Sequence, residues 1–384
     1  MIDALRTPEG ERALATAAEL AGGDPLAAAA TLRARGVPAD LASAALTQAE
    51  LRRRAAGKFG SDAARMFFTR AGLEQATRAA VSERRAARLR AAGVRTLADL
   101  GCGIGADAIA AVRAGIKVYA VEADPGTASV AAANAAALGL ADLTVTCADA
   151  TSVDLTGFDA VFCDPARRRG GRRVFDPAAY SPSWDFVAAL PERVPHTVLK
   201  LAPGIDHALV PPGAEAEWVS VRGEVVEAAF WCGPLAEVPR RATLLPSGAT
   251  LSGTGVERAP VGPVRRYLYD PDGAVVRAHL VAEFASTVDG TLADPDIAYV
   301  YAATATDTPY GRRLAVQDEM PFSLKRLRAL LRDRGVGRVE ILKRGSALDP
   351  EQLRRDLRLA GPNSATVVLT RVAGRPISLV CTPD

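Results

Sequence analysis

The chain has 384 residues, 24% charged and 49% hydrophobic, a length that suits two to three domains at roughly 100–200 residues each. No uninterrupted apolar run approaches the about 18 residues of a membrane-spanning helix, so membrane integration is excluded. The formal net charge is only +3 and only five of the 47 cations are lysine, but the charge is unevenly placed: Leu51 to Arg95 carries twelve Lys/Arg against three Asp/Glu, and Arg312 to Arg358 thirteen against seven.

Such regional basicity suits a polyanionic partner through counterion release; a solvated helical face accounts for either stretch equally well. The five cysteines, Cys102, Cys147, Cys163, Cys232 and Cys381, show no CxxC or related ligand spacing, and no histidine pair has metal-ligand spacing. The first residues, MIDALRTPEGERALA, lack a basic start followed by an apolar segment. The expectation is a reduced, cytoplasmic protein without a secretory leader, membrane contact or bound metal.

From residue 1 to about 90 the pattern is helical, with Ala, Leu, Arg and Glu dominant and breaks at Gly22-Gly23-Asp24-Pro25 and Gly36-Val37-Pro38. The texture changes near Gly93. Strands are expected at Thr96–Leu100, Lys117–Val121, Leu143–Cys147, Phe158–Cys163 and Thr197–Leu201, alternating with helices at Ala106–Ala114, Ser129–Leu138 and Phe186–Arg193. Alternation of this kind builds right-handed crossovers and a mostly parallel sheet. Trp218–Val221 and Val225–Trp231 around Arg222-Gly223-Glu224 read as a hairpin that adds an antiparallel edge. Beyond Gly233-Pro234 the pattern is α+β, with a helix expected at Ala278–Thr287 and a tail of helices at Ser323–Arg334 and Pro350–Leu357 among strands.

The chemistry concentrates where the first strand meets the first helix. In Asp99-Leu100-Gly101-Cys102-Gly103-Ile104-Gly105 the glycines let backbone approach a ligand, and the helix start offers free N–H groups. A GxGxG alone is compatible with dinucleotide binding or a plain tight turn. Asp99, an acidic residue inside the strand end, fits the ammonium of an amino-acid moiety.

DLGCGIGAD resembles motif I of the class I S-adenosylmethionine-dependent methyltransferases, and the later elements follow in that family's order. The resemblance implies S-adenosyl-L-methionine as cofactor, held by Asp99, Gly101, Gly103 and Gly105, with Glu122 on the ribose hydroxyls and Asp149, in Cys147-Ala148-Asp149-Ala150, on the adenine amine. Asp164-Pro165-Ala166-Arg167 takes the place of the methyl-acceptor loop, which makes Asp164, Pro165 and Arg167 the catalytic candidates. The aromatic that ends this tetrapeptide in base N-methyltransferases is missing. Phe175 or Tyr180 could supply it.

Arg167, Arg168 and Arg169, with Arg172 and Arg173, read as a guanidinium cluster suited to phosphate, or a solvated turn. Lys200 ends the fifth strand as either a substrate contact or the partner of a nearby carboxylate. Gln75 and Thr77, in Leu73-Glu74-Gln75-Ala76-Thr77, could form a lid over the cofactor or help seat the acceptor. Cys232 is the nearest candidate for a nucleophilic thiol, against a buried small apolar residue.

The whole order of segments resembles a bacterial group of these methyltransferases, on LEQAT, DLGCGIGAD, DPARR, KLAPG and Ile341-Leu342-Lys343-Arg344-Gly345. It implies an α/β fold: a Rossmann-like methyltransferase domain at 91–235, after an all-helical domain at 1–90, then a ferredoxin-like α+β segment at 236–310 and a THUMP-like α+β domain at 311–384. THUMP-type modules bind RNA, so the resemblance implies methyl transfer to structured RNA, tRNA or rRNA. The alternatives are a protein or small-molecule acceptor, or a non-catalytic RNA-binding factor with a relic cofactor pocket.

Overall fold

The computed structural model describes residues 2–167 and 180–383, and the chain divides into two compact units, one of residues 1–214 with 229–236 and one of 215–228 with 237–384. The first unit opens with helices α1 (Ile2–Leu5), α2 (Pro8–Leu20), α3 (Pro25–Ala34), α4 (Ala39–Phe59), α5 (Arg70–Gln75) and α6 (Ala79–Ala91). The punctuation seen in sequence becomes capping. Asp24 accepts from the Leu26 N–H and Pro25 opens α3, as Thr7 and Pro8 do for α2.

The parallel sheet follows as β1 (Thr96–Leu100), α7 (Ala106–Arg113), β2 (Lys117–Glu122), α8 (Pro125–Leu138), β3 (Leu143–Cys147) and β4 (Ala160–Cys163). After the two short strands β5 (Ala166–Arg167) and β6 (Tyr180–Ser181) come α9 (Trp184–Arg193) and β7 (Thr197–Leu201). The strands lie in the order β7-β4-β1-β2-β3 and all four pairings are parallel. β4 is buried throughout and β1 at all but its first residue, which is why both read as apolar runs without alternation. The chain moves outward from β1 to β3, then returns to the other side of β1 with β4. This reversal opens a crevice at the carboxyl ends of β1 and β4.

The second unit takes in β8 (Glu215–Val221) and most of β9 (Glu224–Trp231), the expected hairpin around Arg222-Gly223. β10 (Arg240–Leu245) extends it, parallel to β8, and β11 (Ala249–Gly253) runs antiparallel to β10. Then follow β12 (Tyr267–Pro271), α10 (Gly273–Arg277), α11 (Val281–Thr287), β13 (Thr291–Leu292), β14 (Val300–Ala302), β15 (Gly311–Pro321), α12 (Leu324–Asp333), β16 (Val336–Lys343), α13 (Pro350–Leu357), β17 (Asn363–Val372) and β18 (Arg375–Pro383). The helix expected over Ala278–Thr287 begins only at Val281, because His279 takes a positive φ of 61° between α10 and α11. One sheet, ordered β13-β14-β12-β15-β18-β17-β16, runs through the 236–310 and 311–384 segments, since β15 pairs with β12 on one side and β18 on the other. Arg344 of the ILKRG block pairs with Asp270 at 2.8 Å, a contact within this unit. No helix among the described residues is long and apolar enough to cross a membrane.

Candidate functional site

Asp99 occupies the last but one position of β1, with no exposed surface, between Ala120 of β2 and Phe162 of β4 in register. Neither carboxylate oxygen has a hydrogen-bond partner among the described residues. Burial, with the negative charges of Asp107 and Asp164 adding to it, raises its pKa well above the usual carboxylate range. A buried, unsatisfied carboxyl is costly unless something is meant to complete it. A cationic ligand group would do so.

Two residues on, the chain turns sharply. Gly101 has φ 85°, and a Cβ there would lie 2.8 Å from the Asp164 carbonyl oxygen. The glycine loop and the loop after β4 are therefore in backbone contact at the switch point; the Asp164 N–H also donates to Leu100 O at 3.2 Å. Gly103 donates its N–H to Glu122 Oε2 at 3.0 Å, and Asp124 donates to Glu122 Oε1 at 2.9 Å. Glu122 thus ties the glycine loop to the end of β2. It is half-buried, and each oxygen keeps lone-pair capacity for a further donor. Gly105 caps the start of α7. At the end of β3, Asp149 is exposed and its Oδ1 accepts from the Thr151 N–H and Oγ1. Asp99, Glu122 and Asp149 therefore lie at the ends of three successive strands.

Asp164 follows β4, and its Oδ2 lies 2.5 Å from Lys200 Nζ at the end of β7, with side-chain exposures of 35% and 12%. Lys200 is thereby the partner of a carboxylate, the second of the two roles open to it in sequence. Pro165 is buried. Of Arg167 the backbone is described, in β5, opposite Tyr180 of β6. Arg168, Arg169, Arg172, Arg173 and Phe175 lie outside the described residues.

The 69–77 segment packs directly on the glycine loop. A Cβ on Gly72 would lie 2.5 Å from Ile104 Cγ2, so only glycine permits α5 to approach that closely. Lys58 holds the segment by donating to the carbonyls of Leu73, Glu74 and Ala76 at 2.6, 2.9 and 3.1 Å, a cation placed at a helix C-terminus. Thr77 is buried and donates to Asp107 Oδ2 at 2.6 Å. Gln75 is exposed at the end of α5, and the structure does not bring it into this cluster.

Four polar residues that build the site carry no role in the sequence reading. Asp107, in the first turn of α7, takes Thr77 on one oxygen and has Arg85 Nε 3.5 Å from the other. Arg85 is buried and lies over the Phe162 ring at 4.7 Å. Asn134 of α8 joins the Phe67 N–H, the Phe67 carbonyl and the Ile104 carbonyl, and Gln48 of α4 exchanges both amide bonds with Phe68. Asp107 stands within the DLGCGIGAD block and could have been found there; the other three have no local signature.

Much of the basicity from Leu51 to Arg95 is used inside the first unit. Arg52 donates to Met66 O at 2.9 Å, Arg65 to the Ala137 carbonyl and Arg88 to Leu235 O at 2.7 Å, beside its stack on Trp231. Cys232 is buried and burial pushes its thiol up to about 12, so it is the small apolar residue rather than the nucleophile. Among the described residues no group of three or more His, Cys, Asp or Glu is arranged for a metal ion.

Residues 97–168 match a family described as a methyltransferase domain, 311–383 a THUMP domain-like family, and 1–55 a domain of unknown function. An uncharacterised S-adenosylmethionine-dependent methyltransferase of Mycobacterium tuberculosis, from strains CDC 1551 and H37Rv alike, is 38% identical over 351 residues, covering 87% of this chain and 95% of the relative. A crystal structure of a protein from Porphyromonas gingivalis W83, solved as a candidate methyltransferase, superposes with a TM-score of 0.76 at 22% identity, over 97% of this chain and 98% of that one. At that identity the likeness is one of fold.

Proposed function

Because this chain belongs to the S-adenosylmethionine-dependent methyltransferases, we propose that it transfers a methyl group to a nucleotide of structured RNA, tRNA or rRNA, in the cytoplasm. The residues at the strand ends fit the cofactor. The partnerless carboxyl of Asp99 suits the ammonium of the methionine moiety, and Gly103, where a Cβ would meet nothing within 4 Å, leaves backbone open to approach. Glu122 and Asp149 offer acceptors for ribose hydroxyls and the adenine amine. When bound, S-adenosylmethionine supplies an activated methyl on a sulfonium centre.

The chain's own task is alignment and exclusion of water. Asp164 faces the crevice from the strand adjacent to the one that carries Asp99 and, held by Lys200, would accept a hydrogen bond from the acceptor and fix the direction of attack. Lys200 keeps that carboxylate oriented. Pro165 stiffens the loop behind it, and Arg167, with Arg168 and Arg169, would meet phosphate.

The acceptor class rests on the THUMP-like match at 311–383, a kind of module that binds RNA. Two further features support it. On α12, Lys325, Arg326 and Arg332 are exposed, and a hollow of about 230 Å³ is lined by Gly337, Arg338, Val339, Arg354 and Leu359, so that guanidiniums border a concavity. The test is transfer of labelled methyl from S-adenosylmethionine into deproteinised bulk RNA. Label released by ribonuclease is expected; label that appears only in protein or small molecules and survives ribonuclease would overturn the reading.

A further inference from the structure

The acceptor loop Asp164-Pro165-Ala166-Arg167 contains no aromatic residue to hold a flat base, yet aromatic rings stand beside it. Ala166 and Arg167 form β5, and β6 pairs with it so that Tyr180 is directly opposite Arg167 and Ser181 opposite Ala166. Residues directly opposite on paired strands project to the same side, so Tyr180 holds a register position equivalent to the end of the tetrapeptide. Its ring centroid lies 6.0 Å from that of Trp184, the first residue of α9, with the planes tilted by 38°.

The topology fixes which edge of the sheet these rings occupy. α9 lies between β4 and β7, which are adjacent and parallel, so its N-terminus is at the carboxyl edge, where Asp164 and Lys200 meet. Val187 and Leu190 are the buried positions of α9. Trp184, three residues before Val187, continues that same face beyond the strand ends and is half-buried there. Tyr180 behind it is buried.

We propose that Trp184, backed by Tyr180, is the platform on which the acceptor base stacks, replacing the aromatic absent from the tetrapeptide. This rests on the reading of RNA as acceptor. Trp184 contributes the face and Asp164 the in-plane acceptor, so a base is fixed in two directions before transfer.

The protein carries its own reporter. Of its three tryptophans, Trp218 and Trp231 are 0% and 1% exposed, leaving Trp184 as the one that a base can reach. Full-length protein loaded with S-adenosylhomocysteine is titrated with deproteinised bulk RNA, and separately with heparin, a polyanion without bases, while tryptophan emission is followed. RNA quenches the emission, heparin does not, and Trp184→Phe abolishes the quench. In labelled transfer, Trp184→Ala loses about tenfold or more, as expected for removing a base stack, whereas Trp184→Phe retains most of the rate and both variants bind S-adenosylhomocysteine as the wild type does. Quenching that persists in Trp184→Phe, or wild-type transfer by Trp184→Ala, would overturn the platform and leave RNA as the acceptor. Absence of label in RNA with the wild-type protein would overturn both.

Discussion

Lys200 and Asp164, 36 residues apart in the chain, meet at 2.5 Å at the carboxyl ends of the adjacent parallel strands β7 and β4. The pair is largely shielded on the lysine side, and the aspartate side chain keeps 35% of its surface exposed. The open part of the Asp164 carboxylate is therefore available to an acceptor while the closed part is held.

Removing either member should affect the chemical step more than cofactor binding. Asp164→Ala is expected to abolish methyl transfer in single-turnover assays while S-adenosylmethionine affinity stays within several-fold. Lys200→Met should lower kcat about tenfold or more, since it leaves a partly buried carboxylate without its cation. The double variant should be no worse than Asp164→Ala, because the two act as one unit. Transfer by Lys200→Met at the wild-type rate would contradict the pairing.

Asp99→Asn should separate stability from function. The folded-state pKa of Asp99 lies above its unfolded value. The folded protein thus holds a proton that the unfolded chain has released, and folding stability falls as pH rises from the unfolded value toward the folded one. Asparagine is neutral in both states and removes that cost. Asp99→Asn is expected to raise the Tm at neutral pH and flatten its fall with pH, while calorimetry shows cofactor affinity reduced about tenfold or more from loss of a charge-assisted bond.

The wild-type protein should bind S-adenosylmethionine more tightly as pH rises above the ordinary carboxylate range, because the ammonium of the ligand favours the ionised carboxylate. Binding should accordingly release protons, seen as a dependence of the calorimetric heat on buffer ionisation enthalpy. In Asp99→Asn that dependence should vanish.

Gly101→Ala should cost about 1–2 kcal/mol from the left-handed backbone alone, and more from the clash with the Asp164 carbonyl. Displacement of the acceptor loop predicts a greater loss in kcat than in cofactor affinity. Cys232→Ala, in contrast, should transfer methyl groups at the wild-type rate, since that buried thiol is not ionised near neutral pH.

The parallel sheet and its glycine loop are legible in the sequence because buried parallel strands are short apolar runs and the turn between β1 and α7 requires glycine. β15 is not. Its Gly311–Pro321 stretch carries Arg312, Arg313, Asp318 and Glu319 on a strand whose side chains are mostly half-buried or exposed, so neither apolarity nor clean alternation marks it. The candidate site divides along the same line. Asp99, Glu122 and Asp164 stand at strand ends, where position in the pattern is enough. The Lys200 partnership depends on strand order, and the links from Gln48 and Asn134 to the Phe67-Phe68 backbone span 20 and 67 residues, which local periodicity does not report.

Lys325 and Arg326, exposed on α12, should contribute to RNA affinity and little to transfer once RNA is saturating. Replacing both with Ala is expected to make the slope of log affinity against log salt shallower by about 0.7–0.9 for each phosphate that is no longer neutralised, measured by filter binding across a salt series. An unchanged slope would place the RNA elsewhere on the chain.

The most direct measurement compares nucleoside mass spectra of tRNA and rRNA from cells with and without this protein. One methylated nucleoside should disappear from the deficient cells and return with the wild-type chain but not with Asp164→Ala. Identical nucleoside profiles in all three would contradict the assignment of RNA as the methyl acceptor.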